Sequence, residues 1–222
     1  MRVNASAGER PPAMRPLLLV LLAGCLGLPA SAQRYARNQF TAGLGAALPR
    51  QDLKPYYQTA FSWDINYGFR FLRFLQADAG YDGSYKAADV EAYYNTPQFG
   101  SIRIRDFQTF IPLGGRVIAP LAHGRFELFA GGGWAYLKYG ESLQQPSPYY
   151  RIDCPVCNER SGYGYYTMFG GNFALDRAGA FRIGALTRVY QGHTEGLPVG
   201  SLTTYRSYDR WINSYLTFTL SF

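Results

Sequence analysis

Hydrophobic and polar residues alternate at period two along most of this chain. In the last dozen residues, Ile212, Leu216, Phe218, Leu220 and Phe222 fall on one face, and Asn213, Tyr215, Thr217, Thr219 and Ser221 on the other. This is strand spacing, not helix spacing. A terminal strand this apolar and free of charge is an aggregation-prone edge unless it is paired on both sides, and closing the sheet into a barrel removes the edge. The clearest strand sets Thr59, Phe61, Trp63, Ile65, Tyr67 and Phe69 against Gln58, Ala60, Ser62, Asp64, Asn66 and Gly68. Every large apolar group is on one side.

The same pattern predicts strands along the rest of the chain. The first, over 40–48, has Phe40, Ala42, Leu44, Ala46 and Leu48 on its apolar face and small residues on the other. After the strand at 58–69, a tight turn at 70–73 sends the chain back with Leu75, Ala77, Ala79 and Tyr81 opposite Gln76, Asp78, Gly80 and Asp82. A fourth strand, about 105–118, turns Phe107, Thr109, Ile111, Leu113 and Val117 one way and Asp106, Gln108, Gly114 and Arg116 the other. Pro112 within it suggests a bulge. The fifth, 125–139, crosses Gly131-Gly132-Gly133, where period two alone does not fix the facing; Glu127 is assigned inward, Trp134 and Tyr136 outward. Strands at about 163–175 and 181–191 precede the closing one, the latter with Ile183, Ala185 and Val189 outward and Arg182, Gly184, Arg188 and Tyr190 inward.

The count is eight strands, with three short turns and four long connections (49–55, 86–103, 140–161 and 192–207) in strict alternation. All short turns and both ends of the sheet therefore lie at one end, and all long loops at the other. The prediction is an all-β fold: an eight-stranded antiparallel up-and-down transmembrane β-barrel, apolar face to lipid and polar face to the lumen. A soluble sandwich with the apolar faces as its core also satisfies the alternation.

Composition changes the picture in two ways. Nineteen Tyr, 15 Phe and 25 Gly with a slightly negative mean hydropathy fit alternating strands rather than helical membrane spans. The amino terminus, 1–32, reads as an extension plus a secretory leader: Arg15, an apolar run over 17–28 and a cleavage site at Ala30-Ser31-Ala32, with Met14 as an alternative start. Cys25 within Leu22-Ala23-Gly24-Cys25 leaves lipidation open. Removing the leader turns 22 basic and 15 acidic residues into 19 and 14, scattered through residues 33–222. No basic stripe of the nucleic-acid kind is present.

The leader, the eight amphipathic strands, the alternating connections and the terminal Phe222 together resemble the small outer-membrane β-barrels of the OmpA/OmpX type. The resemblance covers 39–222. It implies a monomer in the outer membrane of the Gram-negative envelope, in contact with outer-membrane lipids and lipopolysaccharide. Phe222 would be the signal read by the outer-membrane assembly machinery. It also implies a structural or surface-interaction role through four extracellular loops that could hold an extracellular ligand. A narrow porin-like channel is the alternative, and a lipid-modifying enzyme a third; the expectation is no enzyme, no cofactor and no metal.

The polar face collects Asp64, Asp78, Arg116, Glu127, Arg182 and Arg188 from different strands. An eight-stranded interior is just wide enough for side chains to fill, and buried charges persist when paired, so a lumen charge network is expected, either as a plug or as the wall of a gated conduit. Cys154-Pro155-Val156-Cys157 in a long loop reads as a disulfide in an oxidising compartment, with metal binding beside His193, Asp153 or Glu159 as the alternative. His193 near Ser201 or Ser207 is the one candidate general base, while His123 belongs to a turn. Trp63, Trp134 and Trp211 are assigned to interfacial girdles, and Tyr93, Tyr94, Tyr149, Tyr150 and Tyr205 to the loops.

Overall fold

The alternating stretches form strands that pair edge to edge until the sheet closes. A computed structural model describes residues 35–50, 58–85, 93–146, 148–149, 151–155, 157–196 and 206–222. The strands are β1 (Asn38–Arg50), β2 (Ala60–Leu72), β3 (Leu75–Tyr85), β4 (Tyr93–Thr96), β5 (Gly100–Leu121), β6 (Phe126–Leu143), β7 (Glu159–Ala174), β8 (Phe181–Gly196) and β9 (Ser207–Ser221). Each pairs antiparallel with its neighbours. β1 closes on β9 from Gln39↔Ser221 to Arg50↔Arg210, and β3 bypasses β4 to pair with β5. Eight strands make the barrel, and β4 adds a short ninth against the loop end of β5.

The turn end joins β2 to β3, β5 to β6 and β7 to β8 within a few residues. In the β5–β6 turn, Ala122 and His123 take φ of 48° and 57° beside Gly124 at 85°. At the loop end the strands run past their expected limits. β5 starts at Gly100, β6 ends at Leu143, and β8 ends at Gly196. The backbone ladder needs no lipid, so it continues where the exterior is polar.

Two expectations are corrected. Pro112 makes no bulge: β5 keeps one register with β6 from Ile104↔Leu143 to Leu121↔Phe126. On its other side the ladder lapses opposite Gly80 and Tyr81 and resumes in the same register. A missing N–H thus leaves a gap in the ladder without inserting a residue. The observed irregularity is in β2, between Arg70 and Leu72. Trp211, assigned above to a girdle, points into the barrel and is fully buried, because it shares the parity of Asn213 and Tyr215.

The exterior is the apolar surface. Leu44, Ile65, Leu113, Val117, Ile183 and Leu216 are all exposed, Leu216 by 75%. In water such a continuous belt would drive aggregation; in hydrocarbon it is the favoured face. Aromatic rings border it. On the loop side Trp63 lies over Gly83, its cross-strand partner, where a Cβ would sit 2.4 Å from the indole. Trp134 stacks on Tyr163 at 5.1 Å. Exposed Phe71, Phe74, Phe173, Phe181 and Phe222 border the turn side.

Candidate functional site in the lumen and at the loop end

The interior is a stack of bonded polar groups. The inward positions of β2, β3, β5, β6 and β8 supply four arginines and four carboxylates, in three ion-paired groups. Nearest the turns, Arg70 donates both Nη atoms to Glu127 at 3.1 and 3.2 Å, and Arg182 reaches the same carboxylate at 3.1 Å. Next, Asp78 takes a two-pronged contact from Arg116, Nε to Oδ2 at 2.7 Å and Nη2 to Oδ1 at 2.6 Å. Asn66 and Gln76 donate to the same aspartate, and the Arg116 guanidinium sits 4.7 Å from the Phe129 ring.

The third group is the most enclosed. Arg188 Nη1 pairs with both Asp64 and Asp82, which face each other across β2 and β3. Its Nη2 donates to Asn66, while the Tyr190 and Tyr215 hydroxyls donate to Asp82 Oδ2 at 2.7 and 2.9 Å. An aromatic layer of Phe110, Tyr139, Tyr190 and Trp211 adjoins it, with Phe110 and Tyr190 4.7 Å apart and Trp211 Nε1 donating to the Tyr139 hydroxyl. Toward the loops, Arg160 donates to Thr194 and Ser207, whose hydroxyls in turn donate to Asp209 at 2.6 Å. Asp106, cross-strand to Glu141, is buried with neither carboxyl oxygen hydrogen-bonded to another described residue.

At the loop end an apolar cap forms on the extended β5–β6 ladder. Ile102, Ile104 and Leu143 pack together, and Tyr94, Phe99, Ile152, Cys154 and Cys157 pack against them. Cys154 and Cys157 are joined in a disulfide, their Cα atoms 5.4 Å apart. The sulfurs are therefore committed to each other, and no cluster of three metal-ligating side chains occurs among the described residues.

Sequence reasoning missed several of these residues. Arg70 was assigned to a turn, although it continues the inward parity of Asn66 and Gly68. Asp82 is inward by parity but absent from the expected charge set, Arg160 lies in a stretch read as loop, and Asp209 falls between the last loop and the expected closing strand. The general-base candidate separates. His193 faces outward beside Tyr208, ring centroids 5.1 Å apart, whereas Ser207 bonds inward to Asp209, so the two lie on opposite faces of the sheet. Ser201, Tyr150, Tyr205, Cys25 and the expected leader lie outside the described residues.

A closed up-and-down barrel with an apolar exterior and a filled polar interior is the architecture of a small transmembrane β-barrel. No protein-family model matches the chain, and no curated protein matches it in sequence. Solved structures do match. Neisserial surface protein A superposes with a TM-score of 0.52 at 11% identity, over 86% of this chain and all of that one. OprG from Pseudomonas aeruginosa gives 0.49 at 9% identity, over 85% and 97%. Ail of Yersinia pestis gives 0.48 at 9%, over 85% and 99%. The fold is that of the small outer-membrane β-barrels.

Proposed function

We propose that the protein is an integral outer-membrane β-barrel whose role is structural or surface interaction through its loop end, with a lumen that serves as a plug. The filling of that lumen carries the reading. Arg188, Asp64 and Asp82 are each at most 1% exposed, as are Phe110, Tyr190 and Trp211 beside them. A water-filled conduit would leave those side chains accessible, and buried charges paired in this way resist rearrangement. The loop end offers a surface, with Tyr93 and Tyr149 exposed in the segments that contribute to a disulfide-stapled cap. Such amphipathic side chains are enriched where proteins bind one another.

The reading carries a non-enzymatic role, a monomer that leaves no barrel edge unpaired, lipids and lipopolysaccharide around the belt, and Phe222 as the assembly signal. Conductance of the refolded barrel in a planar bilayer tests it. No discrete current steps are expected. Reproducible steps from the wild type would replace the plug with the narrow-channel reading.

A further inference from the structure

Each short turn at the turn end carries one arginine: Arg73 between β2 and β3, Arg125 between β5 and β6, and Arg177 between β7 and β8. Arg37, just before β1, adds a fourth at the same end. Arg37, Arg125 and Arg177 are exposed, Arg73 is half-buried, and none forms an ion pair with a described residue. Two described acidic side chains occur at this end. Glu127 is buried between Arg70 and Arg182, and both oxygens of Asp176 accept backbone N–H groups, from Phe181 and Ala180. At the loop end, acidic side chains are interspersed with the basic ones: Lys138 pairs with Glu159 and Arg206 with Glu195, while Arg50, Arg103, Arg151 and Arg210 form no ion pair with a described residue. Arg73 and Arg177 stand in turns flanked by exposed Phe71, Phe74, Phe173 and Phe181, which border the apolar belt.

We propose that Arg37, Arg73, Arg125 and Arg177 form a ring that binds the phosphates of anionic phospholipids in the leaflet at the turn end. The inference rests on the membrane reading above. Its chemistry is that of guanidinium and phosphate: fixed charge, matched donors and acceptors, and a headgroup layer of opposite sign. The distribution singles out lipid among anions. A discrete acidic partner needs charge on one patch, whereas one arginine per turn around the circumference matches a layer that surrounds the barrel. The ring sits at headgroup depth because the phenylalanines below it set the edge of the hydrocarbon.

The test is lipid selectivity of the refolded barrel, read by electron spin resonance with spin-labelled phosphatidylglycerol against spin-labelled phosphatidylcholine. A heat-dependent gel shift first verifies insertion, and a chain that fails to insert overturns the membrane reading itself. For an inserted wild type, a preference for phosphatidylglycerol of about threefold or more is expected, weakened by salt. Replacing all four arginines with Gln should bring the ratio to about one, and replacing all four with Lys should keep at least half of the preference. Arg50→Gln with Arg210→Gln, at the opposite end, should leave it unchanged. An inserted wild type without preference, a Gln variant that retains it, or equal loss in the Arg50/Arg210 variant would overturn the ring. Ring-dependent capture by purified peptidoglycan without lipid preference would also overturn it, in favour of a glycan carboxylate.

Discussion

The two halves of β5 obey opposite rules. From Phe107 to Leu121 its outward residues include Phe107, Ile111, Leu113 and Val117, and its inward ones Gln108 and Arg116 beside Phe110 and Ile118. From Gly100 to Arg105 the order inverts: Ser101, Arg103 and Arg105 face out, while Ile102 and Ile104 are buried in the cap. One continuous strand, in one register with β6 from Ile104 on, thus changes solvent along its length. Below the switch the outside is lipid, so bonded polar groups collect within. Above it the outside is water, and the ordinary hydrophobic effect places the aliphatic groups inside. The reversal between Arg105 and Phe107 marks the membrane edge on this face. Arg105 fits that position, donating to the Tyr85 hydroxyl and lying over its ring at 5.4 Å.

The sharpest way to break this comparison is to remove the cation from the lower interior. Arg188→Met leaves Asp64 and Asp82 buried without their countercharge, and should cost about 3–5 kcal/mol in urea unfolding of the lipid-inserted barrel. Adding Asp64→Leu and Asp82→Leu should restore much of that loss. If the single variant unfolds like the wild type, the lumen is not held by its charges.

Next in size is a pair of reciprocal changes on the outer face of β5. Leu113→Arg, below the switch, should cost about 2–4 kcal/mol near the bilayer midplane. Arg103→Leu, above it, should shift stability by no more than about 0.5 kcal/mol, as exposed substitutions in water do. Equal costs at the two positions would remove the boundary.

Much of this was legible in the strands because period two, read against two solvents, survives without any tertiary contact. Glu127, Trp134 and Tyr136 keep the assigned facing across Gly131-Gly132-Gly133, since the ladder passes there without a register shift. Ser101-Ile102-Arg103 reads as the end of a polar connection rich in turn formers, although its alternation continues through Ile104 and Arg105 as regularly as that of β2, with the apolar side inverted. Arg70 was lost because basic residues near a turn look solvated; what makes it a lumen residue is Glu127, which is 57 positions away. Trp211 was lost because a tryptophan near a strand end fits a girdle on residue type alone, whereas its partner is the Tyr139 hydroxyl across the lumen. Long-range partners of this kind leave no local trace in sequence.

The cap should yield separately from the barrel. Leu143→Ala removes side-chain volume from a cluster of three buried aliphatics, and such truncations cost about 2–5 kcal/mol where the site cannot collapse. Because the cap lies beyond the membrane edge, the expected signature is faster proteolysis within 144–158 with an unchanged barrel unfolding midpoint. Reducing Cys154–Cys157 should act in the same place and more weakly, up to about 2 kcal/mol for so short a closed loop. A shift of the barrel midpoint in either experiment would show that the two halves of β5 unfold together.

The smallest effect belongs to the other end, where the β7–β8 turn is bonded to one half-buried carboxylate. The Phe181 N–H donates to Asp176 and, against the opposing effect of desolvation and with the Ala180 N–H beside it, holds its carboxyl below the ordinary aspartate range. A folded-state value below the unfolded one means that the stabilisation is complete above the unfolded value and fades as pH falls through the folded one. Amide exchange at Phe181 and Ala180 should therefore be slow at neutral pH and accelerate, relative to amides in the barrel wall, once the solution is more acid than the ordinary aspartate range. Asp176→Ala should show the fast rate at every pH and lose the pH dependence, while Arg188 and its partners, enclosed in the wall, keep their protection throughout. Acid-independent exchange in the wild type would mean that the turn is held by its ladder bonds, such as Leu175 N–H to the Phe181 carbonyl, and that the carboxylate is incidental.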